Sequence, residues 1–462
     1  KDKNKVVSLY GDYQKLSKLK STYVKGMYKK VSTNLDGATD DHLRADYEVI
    51  TTGRLSSKNP NLQNLPSRGK LAKIIKRMFA APKGHLLIRY DYSAHEVRVW
   101  AIIANDKVLA AAFKAGQALR KVFIQDPSEE NKKAIKAKGD IHLLNVLRFF
   151  NKVVDKDHPL RDAVKAVVFG VLYGKGAETL GEDTKQGELG ELKGKISELY
   201  NESLVTKDNK RLVQITHMLE ELDLKLTALL EEDRSSYAQG IIDKMFTEFK
   251  AGAGWTQKMS DMAENEYQVF SPNGRRRYLP AALTKDRAIV AKQVRRGSNA
   301  PVQGMASEIG VKAGRLIYQG YYKNLKIFKE KLGIVMKDWE LRIPFNRSVH
   351  DANYYAVPYA MILPFIHVLQ FQATYGVTKA YKDEFNIAFT VEPEIEIEVA
   401  AVDSSSYKWD WSIPNLVDNL KKAVHDAQEL GVLVGTEEEV MAEILKPWRK
   451  REIRKYLQTE FP

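Results

Sequence analysis

Apolar and polar positions along this chain change period several times, and the changes mark its elements. From His85 to Tyr90 a short apolar run predicts a strand, and from Ala94 to Ala104 the spacing predicts a helix. From Asn105 to about Ala291 the pattern stays mostly helical. Trp339 to Pro358 predicts two strands, Leu341–Arg347 and Tyr354–Pro358, around a tight turn. In Phe389–Val402 glutamates alternate with apolar residues, as on a half-buried strand. Asp403-Ser-Ser-Ser406 reads as a loop, and Ile413–Pro462 as a helical tail ending in a basic cluster. Residues 1–50, rich in Lys and Tyr, predict a helix leading into irregular structure. Thr51–Pro66 predicts a turn-prone loop with Asn and Pro at its centre. Strands at both ends of a helical middle predict an α/β (α+β) chain whose sheet is interrupted by a helical lobe.

Two helical stretches stand out. In Arg161-Asp-Ala-Val-Lys165-Ala-Val-Val-Phe169-Gly-Val-Leu-Tyr173-Gly174, steps of four put Arg161, Lys165, Phe169 and Tyr173 on one slowly drifting stripe. Val164, Val167, Val168 and Val171 lie on other sides, where they can hold the helix to a core. Gly174 and Gly176 follow as a helix stop. Two cations, a ring and a phenol on one face can address two phosphates, a base and a sugar, although an ordinary amphipathic surface helix shares the spacing. Further on, Leu212, Ile215, Leu219, Leu222, Leu226 and Leu229 recur at 3-4-3-4-3 steps, a short heptad seam with acidic flanks. That seam predicts a helix packed on the lobe, or a docking helix for a protein partner.

Composition narrows the field. With 73 Lys+Arg against 59 Asp+Glu the 462 residues carry +14, which fits a polyanionic partner. At this length roughly three domains are expected. The absence of cysteine excludes disulfides, zinc–thiolate sites and thiol catalysis, and fits a reducing compartment. No apolar run is expected to reach the ~20 residues of a membrane span. The start at Lys1 rather than Met predicts a fragment or a processed product, and no signal peptide is visible.

Three constellations carry chemistry. In Tyr90-Asp91-Tyr92-Ser93-Ala94-His95-Glu96-Val97-Arg98 the strand ends at Asp91, whose carboxylate can then project into a cleft. A helix-start aspartate has the same place. Ser348-Val349-His350-Asp351-Ala352-Asn353 puts a second carboxylate in a predicted hairpin turn, where Asp is also a common turn former. Two carboxylates on neighbouring strands supply the oxygen ligands that hard Mg²⁺ ions require, and such a pair of ions can drive in-line displacement. The loop Thr51-Thr-Gly53-Arg54 to Asn61-Leu-Gln63-Asn64-Leu-Pro66 gathers an arginine with amides and hydroxyls, groups that position a nucleic-acid backbone and reach minor-groove acceptors. A polar surface loop would look alike.

Together these stretches resemble the family A DNA polymerases, the bacterial polymerase I type, in the same order. Arg161–Gly174 resembles the family's fingers helix, Asp91–Arg98 its first palm carboxylate motif, His350-Asp351 its second, and Thr52–Pro66 its thumb-to-palm loop. Lys18-Leu-Lys-Ser-Thr-Tyr23, Asp140-Ile-His142, Gly274-Arg-Arg-Arg277-Tyr and Asn299-Ala-Pro-Val-Gln303-Gly304 match as well. The resemblance implies a right-hand fold with an antiparallel palm sheet, helical fingers and a partial thumb. It divides the chain into a thumb remnant (1–50), palm (51–104), fingers (105–290) with a helical insert at about 184–235, palm again (291–409) and a C-terminal helical extension (410–462).

It also implies residue roles. Asp91 and Asp351, with the carbonyl of Tyr92, would hold two Mg²⁺ ions, for which Mn²⁺ can substitute. Arg161, Lys165 and His142 would bind the triphosphate, with Lys165 a proton donor to pyrophosphate. Phe169 would lie under the sugar and base, and Tyr173 beside the nascent pair, bonded to Glu96, which excludes a 2′-hydroxyl. Arg54, Asn61, Asn64, Arg295, Asn299, Gln303 and His350 would contact primer-template DNA. The expected reaction is template-directed addition of dNTPs to a primer 3′-OH, with neither proofreading nor a membrane partner, in cytoplasm or nucleoid, an organelle being the other setting. A single-subunit RNA polymerase and a catalytically inactive nucleic-acid-binding subunit are the competing readings. The chain departs from the family at Ala352, where a Glu usually follows His-Asp, at Ala94 and His95, and at Val168.

Overall fold

A computed structural model describes residues 9–11, 13–14, 16–27, 43–65, 74–75, 77–126, 128–156, 158–173, 175–206, 208–231, 233–337, 341–343, 345–349, 352–400 and 406–446. The chain forms two compact units. One comprises Ala94–Ala306 and Thr378–Val391, the other Lys1–Ser93, Ser307–Val377 and Glu392–Pro462. The boundaries fall at Ser93 and Ala306, whereas the sequence divides at 104 and 290.

The first unit is nearly all helix. Helix α1 (His95–Ile103) buries His95 through Ala101. Asp106 then caps α2 (Lys107–Gln125), accepting from the N–H groups of Val108 and Leu109, and Ser128 caps α3 (Glu129–Lys138). Asp140 does the same for α4 (Ile141–Phe150). In α5 (Pro159–Leu172) His158 is the cap and Pro159 takes the first turn, where its missing N–H costs nothing. Leu160, Val164 and Val167 of α5 are fully buried.

The long helices α6 (Ala177–Val205) and α7 (Asn209–Glu231) and the next, α8 (Arg234–Glu248), account for the predicted insert. Helix α6 packs on α5, α7 and α8. On α7, Ile215 and Leu229 are buried and the other seam leucines half-buried, so the heptad seam is the packed face. What α7 leaves outward is mostly charged and polar, with Val213, Met218, Leu224 and Leu230 as scattered apolar exceptions.

Helix α9 (Lys250–Asn265) leads into a small hairpin, Gln268–Phe270 with Arg276–Tyr278, that the helical reading of this region did not foresee. Met259, Ala263, Val269, Leu279 and Ala300 form its core. Ala300 belongs to the 46-residue helix α10 (Arg287–Leu332), which contains Pro301 and contributes residues to both units.

The second unit holds a five-stranded antiparallel sheet in the order β2-β3-β1-β4-β5, with β1 (His85–Tyr92) central, β2 (Phe345–Val349), β3 (Ala352–Pro358), β4 (Pro393–Glu398) and β5 (Ser406–Lys408). The alternation on β1 decides its faces. Leu86, Ile88 and Tyr90 are fully buried with Tyr92 nearly so, while Arg89 and Asp91 on the opposite face are half-buried. The buried face meets residues of α10: Tyr90 Oη donates to the Gly310 carbonyl (3.2 Å), and Tyr355 Oη lies 3.4 Å from where a Cβ on Gly314 would sit. Tyr92 Oη donates to the Ala373 carbonyl (2.8 Å).

The predicted strand within 389–402 is shorter than expected; β2 starts at Phe345 rather than Leu341 and runs on to Val349, and β3 reaches back from the expected Tyr354 to Ala352. A second hairpin, Asp46–Val49 with Leu55–Lys58, forms where irregular structure and a loop were expected. The tail is two helices, α13 and α14 in chain order after α11 (Ile362–Phe371) and α12 (Val377–Phe385): α13 is Ile413–Glu429 and α14 is Glu437–Leu445. The basic cluster beyond lies outside the described residues.

One expectation fails. The helical stretch Tyr359–Phe385, 27 residues at mean hydropathy 1.2, is long and apolar enough to cross a membrane by length and composition. It serves instead as packing: 61% of its apolar window is buried, with Leu363, Phe365, Ile366 and Leu369 at 0–1% exposure.

Candidate active site

In the helical unit α5 presents the predicted stripe. Arg161 is mostly buried, Lys165 exposed, Phe169 half-buried and Tyr173, at the helix end, 37% exposed. The ring of Phe169 lies 5.6 Å from that of His142 on α4, and 6.4 Å from the near-parallel ring of Tyr173. Arg161 is held by Asp140: Nη2 and Nε donate to Oδ2 at 2.6 and 3.0 Å. Burial raises the Asp140 carboxyl, but the hydrogen bonds and charge of Arg161 outweigh it and hold the carboxyl below its usual range. His142, 5% exposed, is pushed down to about 4 by burial, with Asp140 opposing and the cations Arg161 and Lys165 adding to the shift. At pH 7 the imidazole is neutral, so it can offer one N–H but no charge to an anion. Helix α1 packs against α5 and buries Glu96 at 2% exposure.

On α10, Arg295, Asn299 and Gln303 follow at steps of four. Arg295 is exposed, Gln303 half-buried, and Asn299 buried with its Oδ1 lacking a hydrogen-bond partner among the described residues. Nearby, His95 is buried with Nε2 2.8 Å from the Ala306 carbonyl.

In the sheet unit Asp91 stands near the end of β1, its side chain 33% exposed. Arg89 Nη2 donates to Asp91 Oδ2 at 2.9 Å, and Arg89 Nη1 meets Glu396 Oε2 at 2.6 Å. The second carboxylate, Asp351, and His350 lie outside the described residues, between the register pair Val349 and Ala352. Ala352 is 3% exposed on β3. Among the described residues no group of three acidic or histidine side chains forms a ready metal cluster.

The loop after Gly53 is tied internally. Ser307 Oγ donates to the Gly53 carbonyl (2.9 Å) and Gln63 accepts from Ser57 N–H and donates to the Leu55 carbonyl. Asn61 Oδ1 accepts from the N–H groups of Gln63 and Asn64, and Tyr23 Oη donates to the Asn64 carbonyl (2.7 Å). Asn61 and Asn64 remain exposed and Arg54 half-buried.

Comparison with known proteins finds similarity to one family. A model described as DNA polymerase family A matches residues 1–202. The chain is 29% identical over 307 residues to the thermostable DNA polymerase I of Thermus filiformis, covering 66% of this chain and 28% of that protein. It is 36% identical over 171 residues to the DNA polymerase I of Lactococcus lactis, covering 37% and 16%. Over residues 1–202 the chain resembles DNA polymerase family A. A solved structure, the POL domain of Pol1 from M. smegmatis in complex with DNA primer-template and dNTP, matches it at TM-score 0.56 and 21% identity, covering 84% of this chain and 52% of that one. The fold is the α/β right-hand polymerase fold. The chain spans about a quarter of the length of the Thermus relative.

Within each unit the structure brings predicted residues together: Arg161, His142, Phe169 and Tyr173 in one, the Arg54–Asn64 loop in the other. Two participants escaped the sequence reading. Asp140 was seen only as part of a motif, although an Asp directly before a helix is a capping signal. Arg89 was not singled out, although two residues before Asp91 on a strand means the same face.

Proposed function

We propose that this domain adds dNTPs to a primer 3′-OH under template direction and releases pyrophosphate. The observation that carries this reading is the α5 stripe, two cations followed by an aromatic shelf against His142, in a chain whose residues 1–202 match the family A model. Lys165 is exposed and available to a triphosphate, while Arg161 reaches it by exchanging Asp140 for phosphate oxygens of the same charge. Lys165 is then placed to give a proton to the leaving pyrophosphate. Neutral His142 donates a hydrogen bond, and Phe169 supports the sugar and base. Glu96 fills the volume a ribose 2′-hydroxyl would need, with the Tyr173 phenol as its partner.

The donor set fits hard divalent cations, since Asp91 offers carboxylate oxygen on a partly exposed strand end. Asp91 and Asp351, with the Tyr92 carbonyl, would hold Mg²⁺, which when bound activates the primer hydroxyl and stabilises the pyrophosphate charge. Primer-template DNA would lie along Arg54, Asn61, Asn64, Arg295, Asn299, Gln303 and His350. A protein partner at the insert would meet the charged outer face of α7 rather than its seam.

Primer extension with Mg²⁺ tests this. The chain should extend with dNTPs and not NTPs. Asp91→Ala should cost at least ~10³-fold and Lys165→Ala roughly 10²-fold. Undiminished extension by Asp91→Ala would remove the metal assignment. Preference for NTPs would favour an RNA polymerase, and no extension at all an inactive binding subunit.

A further inference from the structure

The sheet face that carries Asp91 is lined by a row of charged and aromatic side chains running across all five strands. In register order they are Arg347, Tyr354, Arg89, Glu396 and Lys408. The Arg347 guanidinium lies 4.1 Å from the Tyr354 ring centre and that of Arg89 5.8 Å from it. Glu396, beyond Arg89, also accepts from Ser406. One step toward the strand end, Asp91 is in register with Glu394, and Lys408 Nζ holds Glu394 at 2.6 Å.

Arg89 therefore has one fixed end and one working end. Glu396 pins Nη1 from the next strand, and the planar fork then directs Nη2 at Asp91 Oδ2. As a stabilising contact the Arg89–Asp91 pair adds little, because the two are neighbours on one strand face and Glu396 already neutralises the arginine. Its consequence is local to the carboxylate. A cation 2.9 Å from one oxygen fixes the rotamer and withdraws charge from the group. We propose that Arg89, braced by Glu396, is a positioning residue that holds the Asp91 carboxylate for a divalent cation and competes with that cation for Oδ2. This inference rests on the reading of Asp91 as a metal-binding carboxylate.

The two effects pull apart, which makes them measurable. Without Arg89 the carboxylate loses both its competitor for Oδ2 and its fixed rotamer, so metal affinity should rise while turnover falls. Mn²⁺ titration followed by electron paramagnetic resonance, on the full chain with primer-template DNA, reads the first. Single-nucleotide addition reads the second. For Arg89→Met we expect Mn²⁺ to bind about three- to tenfold tighter and kcat to fall about tenfold, with primer-template Kd within about twofold. Glu396→Gln, which frees the fixed end, should move both in the same directions by less. Arg89→Lys keeps the charge without the fork, so kcat should fall with metal affinity nearly unchanged, and it serves if the Met variant does not fold.

Mn²⁺ affinity and kcat both unchanged in Arg89→Met would overturn the proposal. So would a parallel loss of both with a lowered Tm, which is the signature of a residue that only holds the sheet. Asp91→Asn separates the two levels. If it leaves Mn²⁺ binding intact, the metal reading of Asp91 fails, whereas loss of binding in Asp91→Asn beside an unmoved Arg89→Met fails Arg89 alone.

Discussion

Glu398 sits on the same sheet face as Arg89 at 4% exposure. Burial pushes its carboxyl up to about 7; Arg347 and Arg89 pull down, Glu396 adds to the rise, and a hydrogen bond from Ser406 opposes it. The folded chain thus keeps a proton that the unfolded chain loses near 4.5, and stability falls as pH rises from about 4.5 to about 7. Glu398→Gln should stabilise by about 1–3 kcal/mol at pH 8 and by little at pH 4.5, measured as melting temperature against pH. A gain independent of pH would show that charge burial is not the cause. At this scale the sequence singled out candidate residues but not the counter-ions the structure gives them. Asp91 and Arg161 drew notice because their types and spacing suggest a chemistry. Arg89 and Asp140 did not, because a partner is defined by a rotamer and a neighbouring strand or helix.

Elements were legible where period and punctuation agree. The four-residue stripe of α5 is framed by His158-Pro159 at one end and glycines at the other, and the structure follows it. The hairpin Asp46–Val49 with Leu55–Lys58 offers no apolar alternation, since half of it is exposed and only Ser57 is buried, and only pairing reveals it. The heptad seam on α7 gave the helix but not its partner, since α6 supplies the complementary face and has no comparable seam of its own. Close packing between α1 and α9 gives a prediction. A Cβ on Gly252 would meet Trp100 Cζ2 at 2.4 Å, and Trp100 is fully buried with Nε1 donating to Thr256 Oγ1. Alanine gains about 1 kcal/mol in helix propensity, but forcing the rigid ring aside costs about 1–3 kcal/mol. Gly252→Ala should therefore lower the melting temperature, while Gly254→Ala, where a Cβ meets nothing, should raise or keep it. Equal effects at the two glycines would refute the packing account.

For the molecule as a whole, the +14 charge predicts that primer-template affinity depends steeply on salt. Between about 50 and 200 mM salt, fluorescence anisotropy should show a loss of at least ~10²-fold, and a flat response would mean that few phosphates are contacted. Strands at both ends of a helical middle foretold a sheet interrupted by a helical lobe, while the unit bounds at Ser93 and Ala306 carry no mark in the pattern of polar and apolar residues. That interruption has a consequence for synthesis. Strand β1 is made before both its neighbours, β3 and β4, the nearer some 260 residues downstream. At about 5–20 residues per second the ribosome takes roughly 13–50 s to deliver them. Throughout that interval Leu86, Leu87, Ile88 and Tyr90, all fully buried in the finished sheet, lack the strands that will flank them, while most of the helical unit is already available to fold. The nascent chain therefore passes through a long sticky stage, and its yield in the cell should depend on chaperones that shield an unpaired strand rather than on the final stability of the fold.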